Sequence, residues 1–493
     1  MGTSRVTIIG GGAGGLAASI DLARRGVAVT LLEAAPYCGG KIRQLRAGDL
    51  GVDAGPTVLT MRDVFESLFA DAGTSLTDHL TLHRSDVLVR HSWTSGGTLD
   101  LFGDKERSAA AIEAFAGKAE AQGFRDFLAR ATKVHKMLDG PFMRSPRPTP
   151  LSLATAGNPI KMWGVSPFTT LWKALGEHFH DPRLLQLFGR YATYTGSSPF
   201  EAPATLMLIV SVEQQGVWLV EGGIVRIAKA LSDVAALKGV NIRVNAKVSE
   251  IVVKNGRAAG VKLADGEFIE SDAVVCAADF RAIAAGMFGR AAVKAVPQPK
   301  PNTRSLSAVT WAVVGKTEGF PLVRHNVFFA ENFKSEFDDT LGRGRLPAYP
   351  TIYVCGQDRG QPGQNPDGQP ERLLVQINAP PNGDSHKYTA AEIEQCAKTT
   401  FDQLERCGLK IERGTEQTAS PTEFDKLFPA TGGALFGQLV HGSMAAFHRP
   451  GSKTSLKGLY LAGGSVHPGP GVPMALLSGR LAAASVLKDL TSR

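Results

Sequence analysis

Val6-Thr-Ile-Ile-Gly10-Gly-Gly-Ala-Gly-Gly15, at the start of the chain, decides the fold class. A β-branched run leads straight into a Gly10-x-Gly12-x-x-Gly15 turn, after which an apolar-periodic helix is expected from about Leu16 to Arg25. Gly26 ends that helix, and Val27 to Leu32 reads as the next strand, closing on Glu33. This is a complete βαβ unit of the dinucleotide-binding type. Gly10 permits the tight turn, Gly12 lets a pyrophosphate reach the backbone, and Gly15 allows helix and strand to pack closely, with Ala13 and Gly14 between them at the helix start. Glu33 is placed to accept hydrogen bonds from ribose hydroxyls, and an acid there disfavours a 2′-phosphate and so NADP. The motif leaves NAD and FAD both open.

A second glycine-dense turn lies near the other end, in Gly458-Leu-Tyr-Leu-Ala-Gly-Gly-Ser-Val-His-Pro-Gly-Pro-Gly-Val-Pro-Met-Ala-Leu-Leu-Ser-Gly-Arg480. It reads as an apolar strand, a turn and a helix beginning around Val472, which presents backbone N–H groups and a helix N-terminus to a ligand. Two such turns at opposite ends suggest one cofactor held from both sides.

The chain has 493 residues, is 43% hydrophobic and 20% charged, and carries a net charge of +8. That profile suits a large-cored α/β enzyme, soluble or peripheral to a membrane, rather than a disordered or fibrous chain. No apolar run reaches the roughly 18 residues of a spanning helix, and the N-terminus shows no signal peptide, so a cytoplasmic address is expected. The five cysteines show no paired spacing, which excludes a zinc or disulfide framework from the expectations. Basic runs interleaved with aromatics are absent, so nucleic acid is not an expected partner.

From Gly216 to Asp279 a second αβ region follows: a helix over Ile224 to Lys238, then short strands separated by Asn255-Gly256 and Asp265-Gly266, which mark hairpins. The organisation expected is a dinucleotide domain made of residues 1–100, 216–300 and 450–493, a helical region 101–215 and a substrate-facing domain 301–449. Within 140–179, prolines and aromatics such as Phe142, Trp163 and Phe168 mix with Arg144, Arg147 and Lys161; this fits an interfacial membrane segment and equally a proline-rich loop packed in the core. Gly360 to Pro370 reads as a polar surface loop.

Glu33 is followed by Gly39-Gly40-Lys41 and then by Gly51-Val-Asp-Ala-Gly-Pro56-Thr57, a combination that resembles the flavoproteins that include amine oxidases and carotenoid desaturases. The resemblance implies FAD, with Gly40, Lys41, Pro56 and Thr57 against it and Lys41 offering a cation near phosphate or the flavin ring. Arg190-Tyr-Ala-Thr-Tyr-Thr-Gly196, Gly216-Val-Trp-Leu-Val-Glu-Gly-Gly223, His325-Asn-Val-Phe-Phe329, Pro350-Thr-Ile-Tyr-Val354 and Gly463-Gly-Ser-Val-His-Pro-Gly469 are similar to bacterial carotenoid desaturases of the phytoene desaturase type, and the likeness covers essentially the whole chain. It implies an α/β fold, a Rossmann-like FAD-binding domain with an inserted α+β substrate domain and a helical, membrane-facing region. Gly463, Gly464, Gly471, Val472, Pro473 and Met474 would line the flavin, and Val248 would meet the adenine side. Val466 and Pro470, with Thr431-Gly-Gly-Ala-Leu-Phe-Gly437 upstream, look more like the 1-hydroxycarotenoid 3,4-desaturases.

The expected activity is therefore FAD-dependent desaturation of an acyclic carotenoid at the inner face of the cell membrane, with the lipid surface as partner and oxygen or a quinone as electron acceptor. Phytoene desaturation or a related flavin oxidase activity is the enzymatic alternative, and a prenyl-chain escort protein of similar fold the non-enzymatic one. His467 is read as a structural residue beside the cofactor before an acid or base, and Arg449, Asp139 and His441 as surface or packing residues. No catalytic side chain is assigned.

Overall fold

The computed structural model of the chain describes residues 4–146, 148–149, 168–300, 302–361, 363, 366 and 368–492. The proline- and aromatic-rich stretch 140–179 and the loop 360–370 lie partly outside the described residues, Arg147, Lys161 and Trp163 among those left out.

Arg5–Ile9 is the central strand of a five-stranded sheet in the order Leu459–Leu461, Ala273–Cys276, Arg5–Ile9, Ala28–Leu32 and Asn241–Arg243. Every neighbouring pair in it is parallel. Successive side chains alternate between two cores: Val6 and Ile8 pack with Leu16, Ile20, Ile227 and Leu476 of the helices Ala13–Ala23, Val225–Leu237 and Val472–Thr491, while Ile9 packs with Ile251 and Val261 of a three-stranded antiparallel sheet. A parallel sheet covered on both faces needs apolar residues at nearly every position, which is why Ala273–Cys276 is an unbroken hydrophobic run and Thr7 is the one polar residue in Val6–Ile9. The covering sheet is formed by hairpins at the two expected turns, where Asn255, Gly256 and Gly266 take positive φ.

A seven-stranded sheet forms the second layer, in the order Leu409–Ala419, Ser307–Gly319, Glu371–Ala379, Ile352–Gly356, His325–Phe329, Val87–Trp93 and Thr98–Phe102. Of its last two strands, Val87–Trp93 falls within the 1–100 segment that sequence reasoning assigns to the dinucleotide domain and Thr98–Phe102 straddles its end. Val87–Trp93 instead pairs in parallel with His325–Phe329, a contact across more than two hundred residues that no local pattern announces. One face of this sheet is apolar, with Trp311, Val354 and Val375 packed with Ala397 and Leu404 of the helix Ala390–Arg406. On the opposite face Thr310, Gln376, Tyr353 and Val327 stand in cross-strand register. Part of that face is covered by the helices Lys118–Leu138 and Pro182–Gly189, whose core stacks Phe179 on Phe188 at 4.6 Å. Among the described residues no helix is long and apolar enough to cross a membrane.

The first and last helices meet through glycine. A Cβ on Gly479 would run into the carbonyl oxygen of Gly14 and lie 3.0 Å from the Ala18 nitrogen. Arg480 beside it donates through Nε to Asp21 at 3.0 Å, tying the same two helices together. Gly479→Val is expected to lower stability by about 1–3 kcal/mol through overpacking. Chemical denaturation measures this, and an unchanged midpoint would show that the two helices separate without cost.

Candidate functional site

Both glycine turns open on one cavity of about 950 Å³, near the top of the roughly 300–1,000 Å³ typical of small-molecule sites. The helix Ala13–Ala23 starts after Gly12 and the helix Val472–Thr491 after Gly471; neither start is capped by a side chain, and neither first turn carries an acid. Their N–H groups are left for a ligand, and the positive ends of both helix dipoles favour an anion there. Gly10, at φ +98°, makes the turn. A Cβ on Gly15 would strike the Gly10 carbonyl oxygen, and one on Gly14 would come within 2.8 Å of the Gly463 nitrogen. A cradle without side chains, lined by backbone donors, fits the pyrophosphate of a dinucleotide.

Glu33 is clamped at the strand end, accepting from Gly11 N at 2.7 Å and from Ala35 N at 2.8 Å. Each oxygen keeps a lone pair for a ribose hydroxyl. Gly10, Gly12, Ala13, Gly14, Glu33, Gly40, Lys41, Pro56, Thr57, Val248, Gly463, Gly464, Gly471, Val472, Pro473 and Met474 all line the one cavity. Gly15 stands behind the turn, where its role is packing.

Lys41 is placed less as the sequence suggests. Its Nζ donates to the Leu435 carbonyl at 2.5 Å and sits 5.2 Å from the Phe428 ring centroid. Burial pushes its pKa down to about 8, with Asp279 opposing that shift and Arg449 adding to it. His467 follows its structural reading: Nε2 donates to the carbonyls of Phe142 and Ser145 at 3.0 and 2.9 Å, tethering the turn to the segment Asp139–Met143, and the His467-Pro468 bond is cis. His441 packs, its Nε2 accepting from Ser198 N at 3.0 Å and its Nδ1 facing Glu201 at 3.1 Å. Asp139 pairs with Arg144 at 3.0 Å. Arg449 is no surface residue: it is 7% exposed, borders the cavity, and donates to the carbonyls of Phe436, Gln438 and Gly464.

Beyond the cradle the cavity runs between the seven-stranded sheet and the helical region as an apolar chamber walled by Leu138, Leu206, Ile209, Val212 and Val327. Two polar chains interrupt it, and of their residues sequence reasoning assigned only Thr57 to the site. In one, Tyr353 Oη lies 2.7 Å from both Thr57 Oγ1 and His325 Nδ1. In the other, Glu213 accepts from Tyr191 and Tyr194 at 2.6 and 2.5 Å, and Arg190 lies 3.5 Å from Tyr194 Oη. The available signal was alternation, since Thr310 and Tyr353 are polar interruptions in the apolar strands Ser307–Gly319 and Ile352–Gly356.

A dinucleotide cradle opening into an apolar chamber suits an oxidoreductase with a hydrophobic substrate. Residues 13–487 match the family of flavin-containing amine oxidoreductases. Hydroxyneurosporene desaturase of Rubrivivax gelatinosus is 48% identical, over 99% of this chain and 94% of that protein, and hydroxyneurosporene desaturase of Cereibacter sphaeroides is 44% identical over 99% and 98%. The crystal structure of an oxidoreductase from Methanosarcina mazei superposes with a TM-score of 0.60 at 17% identity, over 98% of this chain and 100% of that one. The chain belongs to the flavin-containing amine oxidoreductases and, within them, to the carotenoid desaturases; it is an FAD-dependent enzyme.

Glu33→Gln is expected to weaken FAD retention about tenfold, because a charged acceptor becomes a neutral one. Flavin absorbance of the purified variant tests this, and unchanged occupancy would show that the carboxylate does not face the ribose. Lys41 carries a pH signature of its own. In the folded chain the ammonium loses its proton near pH 8, whereas unfolded it does so near 10.5. Between those values the folded state binds fewer protons, so apoprotein stability should rise with pH through that window. Lys41→Met should flatten the rise, as denaturation at pH 7.5 and 10 would measure.

Proposed function

We propose that this chain introduces the C-3,4 double bond into an acyclic 1-hydroxycarotenoid, one carbon giving up a hydride to a two-electron acceptor and its neighbour a proton to water, so that CH₂–CH₂ becomes CH=CH. The observation that carries the proposal is the continuity of one cavity from the two glycine turns into a long chamber with apolar walls. FAD bound in the cradle supplies the two-electron acceptor. The chain's own part is to hold an extended polyene against that cradle and keep water away, which the aliphatic walls do without offering it a hydrogen bond. The relatives named hydroxyneurosporene desaturase support this substrate class over phytoene. The match to a flavin family speaks against a flavin-free prenyl-chain escort.

The protein works at the inner surface of the cell membrane, with oxygen or a quinone reoxidising the cofactor. A carotenoid is never truly dissolved in water, so an enzyme that uses one gains by opening its cavity into lipid. The cavity wall supports this, since four of the large apolar side chains that line it are solvent-exposed: Phe168 at 83%, Leu427 at 50%, Met287 at 45% and Met444 at 44%. Exposed apolar residues bordering a cavity suit a surface dipped into lipid.

Incubation with phytoene and, separately, with a 1-hydroxylated acyclic carotenoid in liposomes, followed by chromatography of the products, tests the substrate. Turnover of the hydroxylated carotenoid is expected; turnover of phytoene alone would overturn the proposal. Phe168→Glu with Met444→Glu should reduce liposome binding and turnover while leaving FAD content unchanged, and undiminished liposome binding would remove the membrane assignment.

A further inference from the structure

Two further side chains reach the chamber with hydrogen-bonding groups left open, and neither belongs to the polar chains already described. Arg43 is 6% exposed and lines the cavity, yet among the described residues its guanidinium has no hydrogen-bond or ion-pair partner. Its Nη2 is enclosed, whereas Nε and Nη1 stay accessible. Gln376 also lines the cavity, half-buried, and its carboxamide is accessible and unpartnered among the described residues. Water can serve such groups in an open cavity, but a polyene that fills the chamber displaces it and leaves them unpaired unless the ligand brings a partner. We propose that Arg43 and Gln376 form a polar subsite in the chamber wall that takes the oxygen-bearing end of the carotenoid. The proposal rests on the activity inferred above and names the residues that give it specificity.

Strand geometry brings the two side chains to one part of the wall. Gln376 stands in register with Thr310 on one side and Tyr353 on the other. The Arg43 guanidinium lies 5.2 Å from the Phe424 ring centroid, and Phe424 packs with Ala308, two residues before Thr310 and on the same face of the sheet. Ala308 and Gln376 are then diagonal cross-strand neighbours about 7–8 Å apart, a spacing that one end group spans. Tyr353 Oη reaches Thr57 Oγ1 at 2.7 Å, so this stretch of wall adjoins the cofactor turn. That agrees with the reaction, because an oxygen on C1 is three bonds from C3, at most roughly 4 Å away at bond lengths near 1.5 Å.

The donors define the ligand chemistry. A guanidinium only donates, so the ligand atom has to accept, and a carboxamide both donates and accepts. A hydroxyl and a methyl ether each meet that demand; a hydrocarbon end does not. The subsite therefore separates oxygenated from unoxygenated ends and treats the two oxygenated kinds alike. Burial holds the Arg43 pKa below the ordinary arginine value, and the group opposing that shift is Tyr37 rather than a carboxylate. The guanidinium also belongs to the chamber more than to the cradle. Its backbone carbonyl accepts from Ala54 N at 2.9 Å beside the Gly55-Pro56-Thr57 turn, but the ring it rests on is carried by the helix Pro421–Leu427, which packs against the seven-stranded sheet.

The test uses three acyclic carotenoids of one skeleton, bearing a hydroxyl, a methoxyl or hydrogen at C1. Binding to FAD-loaded protein is read from the shift of carotenoid absorbance, and kcat/KM from product chromatography. Wild type should bind both oxygenated compounds tighter than the unoxygenated one and turn them over faster. Arg43→Met should reduce that preference about 10- to 100-fold and Gln376→Leu about 3- to 10-fold, with FAD content unchanged in both. Arg43→Lys, which keeps a charged donor, should retain part of the preference, and with Gln376→Leu it carries the test should Arg43→Met fail to fold. A wild type that desaturates the hydroxylated compound with no preference, or with one that these substitutions leave unchanged, overturns the subsite and leaves the proposed activity standing. Loss of FAD from both Arg43 variants, with the preference intact in Gln376→Leu, assigns Arg43 to the cofactor and overturns the subsite as well. A wild type that turns over none of the three overturns the activity and the subsite together.

Discussion

The close approach of the two glycine turns is the constraint on which the rest depends. Gly14 lies so near Gly463 that any side chain on it would meet the backbone nitrogen at 2.8 Å, and Gly479 lies against Gly14 in the same way. With no side chains between them, the start of the first helix and the start of the last face a single space, although they come from opposite ends of the chain. Strand pairing fixes the same relation, since Ala273–Cys276 joins Arg5–Ile9 to Leu459–Leu461 in one parallel sheet. Both helix dipoles then turn their positive ends toward one cavity. Apart from Gly15, the assigned cofactor residues line the same cavity because of this geometry.

The dinucleotide half was legible because its physics is local. Gly10, Gly12 and Gly15 answer to steric demands within one turn, and the hairpin at Asn255-Gly256 needs positive φ at adjacent residues. The resemblance carried by Gly39-Gly40-Lys41 and the stretch from Gly51 to Thr57 then separated FAD from NAD. The substrate half was less legible because its contacts are long-range. Val87–Trp93 reads as an ordinary strand near the end of the first domain, and only its pairing with His325–Phe329 places it in the second sheet. Lys41 read, from its neighbours Gly39 and Gly40, as a cation near phosphate or the flavin ring; it lines the cavity, and its hydrogen-bond partner is a carbonyl at Leu435, which the sequence does not connect to it. Arg449 read as a surface or packing residue and is a buried donor to three carbonyls of the segment that borders the cofactor.

Period-2 alternation explains how one sheet serves both core and chamber. Val309, Trp311 and Val313 face the helix Ala390–Arg406, so Thr310 between them has to face the other way, and Tyr353 between Ile352 and Val354 does the same. Thr310, His325 and Tyr353 are thus placed by strand geometry on a rigid surface, whereas Arg190, Tyr194 and Glu213 come from the helical segments Arg190–Thr195 and Leu208–Gln215. A loop could carry Tyr353 but could not hold it between Thr57 and His325 with equal precision.

A polyene needs only apolar walls, and Leu or Phe at positions 190, 213 and 325 would supply them without the desolvation that a buried guanidinium and carboxylate incur. The chain keeps the polar groups and spends further residues on them: Tyr191 and Tyr194 both donate to Glu213, and Tyr353 holds His325. Those hydrogen bonds are internal to the protein, so what the polar groups set is the position of the chamber wall: Tyr353 ties the second sheet to the Thr57 turn, and Glu213 ties the helix Leu208–Gln215 to the segment Arg190–Thr195.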